Sequence, residues 1–255
     1  MQSEKPLLEI VDLEKRFGGV RALQGATLTI MEGESVALVG DNGAGKSTLV
    51  KAIAGIQPGD SGRISLRGQE VSIKSPKDAG ALGIEVVYQD LALANSLDVA
   101  ANVFLGDEPV RFRMGWFSVP DVRKMESETA ATLQRLRINI PEPRRPVANL
   151  SGGQRQAVAI GRSIRKGKRE LLILDEPTAA LGVEEVRKVL ALIQTLREQG
   201  QTMMVISHDL EHVFSVSDRI AVMRQGRIIG TRRTKDVTKT DVVRLIVGDL
   251  EEVQA

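Results

Sequence analysis

The chain contains two kinds of apolar pattern: segments in which apolar and polar residues alternate, and shorter segments that are wholly apolar. Residues 7–17 and 26–31 alternate apolar with polar side chains, as strands do when one face of a sheet is buried. The sequence Met-Glu-Gly-Glu at residues 31–34 then provides a turn signal. We therefore expect antiparallel strands near the N-terminus.

Four shorter runs are wholly apolar, at residues 36–39, 86–88, 171–174 and 203–206. Such runs are typical of parallel strands that are buried on both faces. Each run ends in polar or small residues, and a parallel sheet presents its ligand-binding edge where its strands end. Because helical segments separate these runs, the sequence predicts an α/β fold around a parallel sheet.

The middle of the chain differs from both ends. Strand signals fade from about residue 91 to 150, and residues 122–136 have helical spacing with mixed charge. Prolines gather in the same segment, at Pro141, Pro143 and Pro146. We interpret the segment as a helical subdomain inserted into the sheet domain.

Two further helices are predicted near the C-terminus. Residues 181–199 form an amphipathic pattern that Gly200 ends, and the last helix is expected to begin near Lys239. We expect one domain over residues 1–255. Its core and β-subdomain would comprise about 1–90 and 165–255, and its helical subdomain about 91–164.

Composition excludes several function classes. The net charge of the 255 residues is only +2, which does not favour a nucleic-acid partner. The absence of cysteine excludes disulfides, zinc–thiolate sites and a catalytic thiol, and it suits a reducing compartment. The charged N-terminal segment does not predict a signal peptide. No run reaches the roughly 18 to 20 apolar residues of a membrane span, so any crossing of a membrane would fall to other chains.

The first motif follows the run at residues 36–39. Residues 40–47 fit the pattern G-x-x-x-x-G-K-[ST], between a buried strand and a helix that is expected to start at Lys46. Consecutive backbone amides of such a loop can point at phosphate oxygens, Lys46 can reach the β- and γ-phosphates, and Ser47 can ligate Mg²⁺. A chance match in a glycine-rich turn is the alternative, and the strand-before, helix-after context argues against it. The expected nucleotide-binding residues are Gly40, Asp41, Asn42, Gly43, Ala44, Gly45, Lys46, Ser47 and Thr48.

A second motif ends the run at residues 171–174. Asp175 and Glu176 follow it directly. A carboxylate is a suitable Mg²⁺ ligand, so we expect Asp175 to bind the ion, directly or through water. Glu176 is then left to orient or deprotonate the attacking water. Two acids at a strand end could simply be solvated, but the phosphate loop favours the functional interpretation.

The third motif is the sequence Leu-Ser-Gly-Gly-Gln at residues 150–154, which opens an apolar helix. Ser151 is a natural N-cap, and the glycine pair makes either a tight turn or a second anion-binding site. One chain can hardly fold both anion sites onto one phosphate tail. The first two motifs alone leave a kinase, a GTPase, a helicase or a transporter ATPase open.

These motifs together resemble the nucleotide-binding domains of ABC transporters, over most of the chain. Residues 150–154 read as the family's signature, and they precede the Asp175 strand by the family's spacing. By this resemblance Gln89 contacts Mg²⁺ or the attacking water, and His208 contacts the γ-phosphate. Phe17 is expected to stack on adenine, with a role in the core as the alternative. The implied catalytic residues are Lys46, Gln89, Glu176 and His208, and the implied Mg²⁺ ligands are Ser47, Gln89 and Asp175.

The resemblance also implies an assembly. Two copies of the chain would bind ATP and Mg²⁺ between the phosphate loop of one and the signature of the other, through Ser151, Gly152, Gly153 and Gln154. The dimer would lie on the cytoplasmic face of the membrane, bound to integral membrane permease subunits. A solute-binding protein would act indirectly, and no nucleic acid would take part.

Within the family, residues 40–45, 88–93 and 102–106 resemble the ATPases of ribose, xylose, galactose and fructose importers. Those ATPases are often fused pairs, whereas this chain carries one motif set. A second departure is Gly182, which stands where the family's D-loop has an aspartate. A soluble ABC ATPase of DNA repair or translation is the main alternative, and the chain lacks its usual tandem domains, coiled-coil insertion or basic arm. A kinase or GTPase is less favoured still, because no Asn-Lys-x-Asp motif is present.

Overall fold

The computed structural model describes residues 6–114, 117–165, 167 and 169–248. The chain divides into two compact units. The first comprises Met1–Val86, Arg169–Pro177 and Arg197–Ala255, and the second comprises Val87–Lys168 and Thr178–Leu196. The division into subdomains at about residues 91 and 164 stays a prediction. Residues 1–5, in the segment for which we predict no signal peptide, lie outside the described residues.

The chain alternates strands and helices. The strands are β1 (Leu8–Phe17), β2 (Val20–Ile30), β3 (Ser35–Val39), β4 (Ser61–Leu66), β5 (Gln69–Val71), β6 (Ile84–Val87), β7 (Val110–Met114), β8 (Phe117–Pro120), β9 (Leu171–Asp175), β10 (Met203–Ile206), β11 (Arg219–Arg224) and β12 (Arg227–Arg233). The helices are α1 (Lys46–Ile53), α2 (Pro76–Ala81), α3 (Val99–Phe104), α4 (Val122–Arg135), α5 (Gly152–Ile164), α6 (Val183–Glu198), α7 (Leu210–Val216) and α8 (Lys239–Val247).

The first unit contains a four-stranded sheet in the order β2-β1-β4-β5. Strand β1 pairs antiparallel with β2 and with β4, which confirms the antiparallel strands predicted near the N-terminus. The turn predicted at residues 31–34 is also present, with the Glu34 amide donating to the Met31 carbonyl at 3.2 Å. Strands β4 and β5 were not predicted.

A six-stranded sheet forms the centre of the first unit, in the order β12-β11-β3-β10-β9-β6. Strands β11, β3, β10 and β9 are parallel to one another, and β12 is antiparallel to β11. Every residue of β3 and β10 is buried, as is β9 up to Leu174, so the prediction of buried parallel strands is confirmed at these three runs. Residues 86–88 overlap β6, which lies at the edge beside β9.

The strand register determines which residues share an edge of this sheet. Ile206 pairs with Asp175 on one side and with Leu38 on the other. Strands β3, β9 and β10 therefore end at the same level. Their following loops, which begin near Gly40, Glu176 and Ser207, emerge at one edge.

The second unit is mainly helical. Helices α3, α4 and α5 contribute to an apolar core that includes Val103, Phe104, Leu133 and Val158. Helix α4 confirms the helix predicted at residues 122–136, and α6, most of which belongs to this unit, confirms the one at 181–199.

The middle segment, which we interpret as helical, also contains one antiparallel hairpin. Strands β7 and β8 pair antiparallel as a two-stranded hairpin. The strands are short, and Phe112 and Val119 stay 60% and 50% exposed, so the pairing buries little apolar surface and leaves a weak sequence signal. Within the described part of the chain, no helix is long and apolar enough to span a membrane.

Candidate functional site

The loop after β3 depends on glycine for a steric reason. Gly40 has a φ of 151°, and a Cβ added there would lie 2.1 Å from the carbonyl oxygen of Met223. Gly45 has a φ of 109° and occupies the N-cap of α1. A Cβ at this position would lie 2.7 Å from the carbonyl oxygen of Ala22. Both glycines are therefore required by neighbouring backbone, independently of any ligand.

Lys46 begins helix α1, as predicted, and its side chain folds back over the loop. Its Nζ donates to the carbonyl oxygens of Gly40 at 2.6 Å and Asp41 at 2.9 Å. Burial lowers the pKa of Lys46, and the nearby charges of Glu176, Asp41 and Asp175 oppose this shift. The lysine of this loop thus lies within electrostatic reach of the carboxylates that follow β9.

Strand β9 delivers Asp175 and Glu176 to the same edge. Asp175 is half-buried, and burial raises the pKa of its carboxyl, with the charge of Glu176 adding to the shift. Glu176 has a φ of 49°, a left-handed conformation that costs a non-glycine residue about 1–2 kcal/mol. Its amide donates to the Ile206 carbonyl at 2.9 Å, which helps to hold this conformation. Such strain tends to persist at functional positions.

His208 contacts Glu176 directly. Its Nδ1 lies 2.9 Å from Oε2 of Glu176. Because an ionised carboxylate only accepts hydrogen bonds, Nδ1 carries the hydrogen in this contact. The His208 side chain is 74% exposed, whereas that of Glu176 is 17% exposed. The imidazole therefore orients the carboxylate and remains accessible to a ligand.

Phe17 ends β1 and is 42% exposed. Lys15 Nζ lies 5.7 Å from the centroid of its ring. The exposure removes the alternative that Phe17 belongs to the core. The ring is accessible for stacking, and adenine as its partner stays a prediction.

The second unit carries the Leu-Ser-Gly-Gly-Gln segment at the start of α5. Ser151 caps the helix as predicted: its Oγ accepts from the Gln154 amide at 3.3 Å, and Gln154 Oε1 accepts from the Ser151 amide at 3.1 Å. Gln89 also belongs to this unit, where it is exposed just after β6. Ser151 is exposed as well.

Sequence reasoning missed one residue of this region, Glu185. Its Oε2 accepts a hydrogen bond from the Gly182 amide at 3.2 Å. A Cβ added at Gly152 would lie 3.3 Å from that same oxygen. The sequence offered one signal for it. Glu185 is the third residue of helix α6, where a carboxylate often accepts a hydrogen bond from the backbone amide of the residue that precedes the helix.

The raised pKa of Asp175 predicts how stability changes on substitution. A carboxyl that binds its proton more tightly in the folded chain loses stability when it ionises. We therefore expect Asp175→Asn to raise the free energy of unfolding of the ligand-free chain at pH 7, although Lys46 loses one attractive partner. The gain should shrink as the pH falls through the titration range of the carboxyl. Urea unfolding at a series of pH values measures this, and a less stable variant at pH 7 would contradict it.

Comparison with known proteins gives a family and several relatives. A family model described as ABC transporter matches residues 23–179. The fructose import ATP-binding protein FrcA of Rhizobium meliloti is 44% identical over 252 residues, which cover 98% of this chain and 96% of that protein. The xylose/arabinose import ATP-binding protein XylG of Sulfolobus acidocaldarius is 42% identical, with 95% and 94% covered. The ribose import ATP-binding protein RbsA of Geobacillus kaustophilus is 39% identical over 95% of this chain, which spans 48% of that relative.

Solved structures agree with this result. The ADP conformation of an ATP-binding cassette of an ABC transporter has a TM-score of 0.78 at 26% identity, and the match covers 95% of this chain and 99% of that one. A subunit from Clostridium perfringens, part of the ABC transporter complex cbiONQ, has a TM-score of 0.77 at 30% identity, with 96% and 95% covered.

Proposed function

Since this chain belongs to the ABC transporter family, as an ATP-binding subunit whose ATP hydrolysis drives transport, we propose that it energises the import of a sugar. The support for a sugar comes from relatives that are 39–44% identical and are named as import proteins for fructose, for xylose or arabinose, and for ribose. The α/β fold is that of the ATP-binding cassettes.

One observation carries the assignment of the site. Lys46, the pair of Asp175 and Glu176, and His208 meet at the edge where β3, β9 and β10 end. We propose that the amides of residues 40–48 and the ammonium of Lys46 bind the phosphates. The exposed ring of Phe17 would stack on the adenine.

Hydrolysis needs a base and a way to stabilise charge. We propose that Glu176 accepts a proton from water as the water oxygen bonds to the γ-phosphorus and the bond to the ADP oxygen breaks. The products are ADP and inorganic phosphate. His208 holds the carboxylate of Glu176 in place and offers its exposed ring to the γ-phosphate, while Lys46 stabilises the phosphoryl charge.

The residues fit a magnesium ion. Asp175 is a half-buried carboxylate whose charge burial disfavours, so a bound cation would relieve it. Ser47 offers an exposed hydroxyl in the first turn of α1. In residues 6–248, apart from the few positions left undescribed, no group of three or more His, Cys, Asp or Glu is placed to hold a metal. Phosphate and water oxygens would therefore complete the coordination, as Mg²⁺ prefers. When bound, the ion neutralises charge on the β- and γ-phosphate oxygens.

We propose that the second unit acts on the ATP of a partner copy. The exposed hydroxyl of Ser151 and the amides that begin α5 would form an anion site, to which Gln154 belongs through the capping box. In a dimer, this site would contact the γ-phosphate held by the phosphate loop of the other chain. The role of Gln89 rests on the family resemblance alone.

The transport proposal is tested at the membrane. The tagged chain, extracted from cell membranes in mild detergent, is expected to bring along an integral membrane permease. Cells that carry Lys46→Ala should lose uptake of the sugar which the matching solute-binding protein captures. A chain that instead co-purifies with ribosomes or DNA, and with no membrane protein, would contradict the proposal.

A further inference from the structure

The carboxylate of Glu185 lies against the start of the signature helix α5. A Cβ added at Gly152 would lie 3.3 Å from Oε2 of Glu185. Its Oε2 also accepts a hydrogen bond from the Gly182 amide at 3.2 Å. The neighbouring Ser151 hydroxyl, followed by the amides of Gly182, Gly153 and Gly152, lowers the pKa of Glu185. The carboxylate thus lies within electrostatic reach of the polar groups that begin α5.

Two of the amides near this carboxylate are not used by the cap of α5. The capping box of Ser151 and Gln154 satisfies the amides of those two residues. The amides of Gly152 and Gly153, the next two at the helix start, have no partner within a helix. A helix N-terminus attracts an anion at such amides, and Glu185 supplies one.

The glycine pair lets the first turn of α6 approach closely. A Cβ at Gly153 would lie 2.9 Å from Cβ of Glu185 and 3.3 Å from its Cα. A Cβ at Gly152 would lie 2.7 Å from Cδ2 of Leu181. Packing against α6 therefore explains the glycine at position 153, and it brings the carboxylate of Glu185 to the helix start.

The γ-phosphate from a partner chain would bind at the same helix start. Ser151, Gly152 and Gly153 are the residues proposed to bind it. A carboxylate and a phosphate oxygen cannot occupy the same place there, and two anions in contact repel each other. Binding of ATP across the dimer therefore has to displace Glu185.

We propose that Glu185 competes with the ATP of a partner chain for the signature site. Its carboxylate occupies the site in the nucleotide-free chain and raises the ATP concentration that dimer closure requires. The inference rests on the proposed ATP-sandwich dimer. It identifies a residue, outside the motifs of the family, that sets the threshold of that dimer.

The test measures the ATP concentration at half-maximal dimer formation, by light scattering, in chains that also carry Glu176→Gln to stop hydrolysis. Glu185→Gln keeps the size of the side chain and removes its charge. We expect this change to lower the half-maximal ATP concentration by at least about threefold, because a larger fraction of chains then has a free signature site. Glu185→Asp keeps the charge but shortens the side chain, and it is expected to lower the concentration too.

Glu184→Gln is the matched control. Glu184 is 72% exposed and pairs with Arg187 at 2.6 Å, so its loss removes the same charge one residue away. We expect its half-maximal ATP concentration to equal that of the parent. A purely structural role of Glu185 would lower the thermal midpoint without lowering the ATP concentration. An unchanged or raised ATP concentration in Glu185→Gln would overturn the inference.

A failure of the underlying dimer is distinguishable from a failure of this inference. If the Glu176→Gln parent never dimerises with ATP, the sandwich itself is wrong. Occupation of the signature site is then measured alone, by NMR of the Gly152 and Gly153 amides. Their resonances are expected to shift in Glu185→Gln and to stay in place in Glu184→Gln. Amide resonances that do not respond to Glu185→Gln would also overturn the inference.

Discussion

The Glu176→Gln variant is expected to bind ATP and to lose about 10²- to 10⁴-fold in turnover, the usual contribution of a general base. The amide has the same size as the carboxylate and can still accept the hydrogen bond from His208. It cannot take a proton from water at neutral pH. ATP should therefore remain bound, and the dimer should accumulate in its closed state.

Phosphate release and ATP binding are measured side by side for this variant. Glu170→Gln is a suitable control, since Glu170 pairs with Arg67 at the surface and precedes the same strand. The control is expected to hydrolyse ATP at the wild-type rate. Wild-type turnover in Glu176→Gln would show that the base has been assigned to the wrong residue.

The Gly40→Ala variant is expected to lose ATP binding and to lower the free energy of unfolding by about 2–5 kcal/mol, the sum of backbone strain and overpacking. A Cβ at this position would meet the Met223 carbonyl oxygen at 2.1 Å, and that neighbour is backbone, which cannot rotate away. The loop or β11 would have to shift. Urea unfolding and nucleotide titration measure the two effects.

Gly43→Ala separates steric contact from backbone strain. Gly43 also has a positive φ, 81°, but apart from its chain neighbours no atom of the described residues lies within 4 Å of the added Cβ. We expect this variant to lose only the strain, about 1–2 kcal/mol. Equal losses of stability in the two variants would mean that the Met223 contact does not determine the requirement for glycine at position 40.

Much of the first unit was predictable because its sequence signals lie within short segments of the chain. The buried runs that became β3, β9 and β10 are apolar throughout, as two-sided burial requires. The phosphate loop and Ser151 were recognised from short patterns whose geometry depends on adjacent residues. The parallel pairing of β9 and β10 then places Asp175 beside Ile206.

The remaining features depend on distant contacts. The left-handed backbone of Glu176 is held by a hydrogen bond to Ile206, which a local pattern does not contain. Strands β11 and β12 were missed although Gln225 and Gly226, both with positive φ, mark a hairpin turn. Glu185 resembles any acid in the first turn of an exposed helix, and only packing against Gly152 and Gly153 distinguishes it.

The central claim is that each ATP site is built from two chains, and mixed dimers test it. Lys46→Ala removes the ammonium of the phosphate loop, and Gly152→Asp places a negative charge in the signature site. The added Cβ of Gly152→Asp would meet the flexible ends of the Leu181 and Glu185 side chains, which can rotate away, so the fold should persist. Each variant alone is expected to be inactive, because both sites of its homodimer carry the lesion.

A mixed dimer places both lesions in one site and leaves the other site intact. After equal amounts of the two variants have exchanged subunits, ATPase activity is measured against the wild type. If composite sites act independently in a twofold dimer, about one quarter of the wild-type activity should return. If each site lies within a single chain, no pairing restores an intact site, and the mixture would stay as inactive as its components.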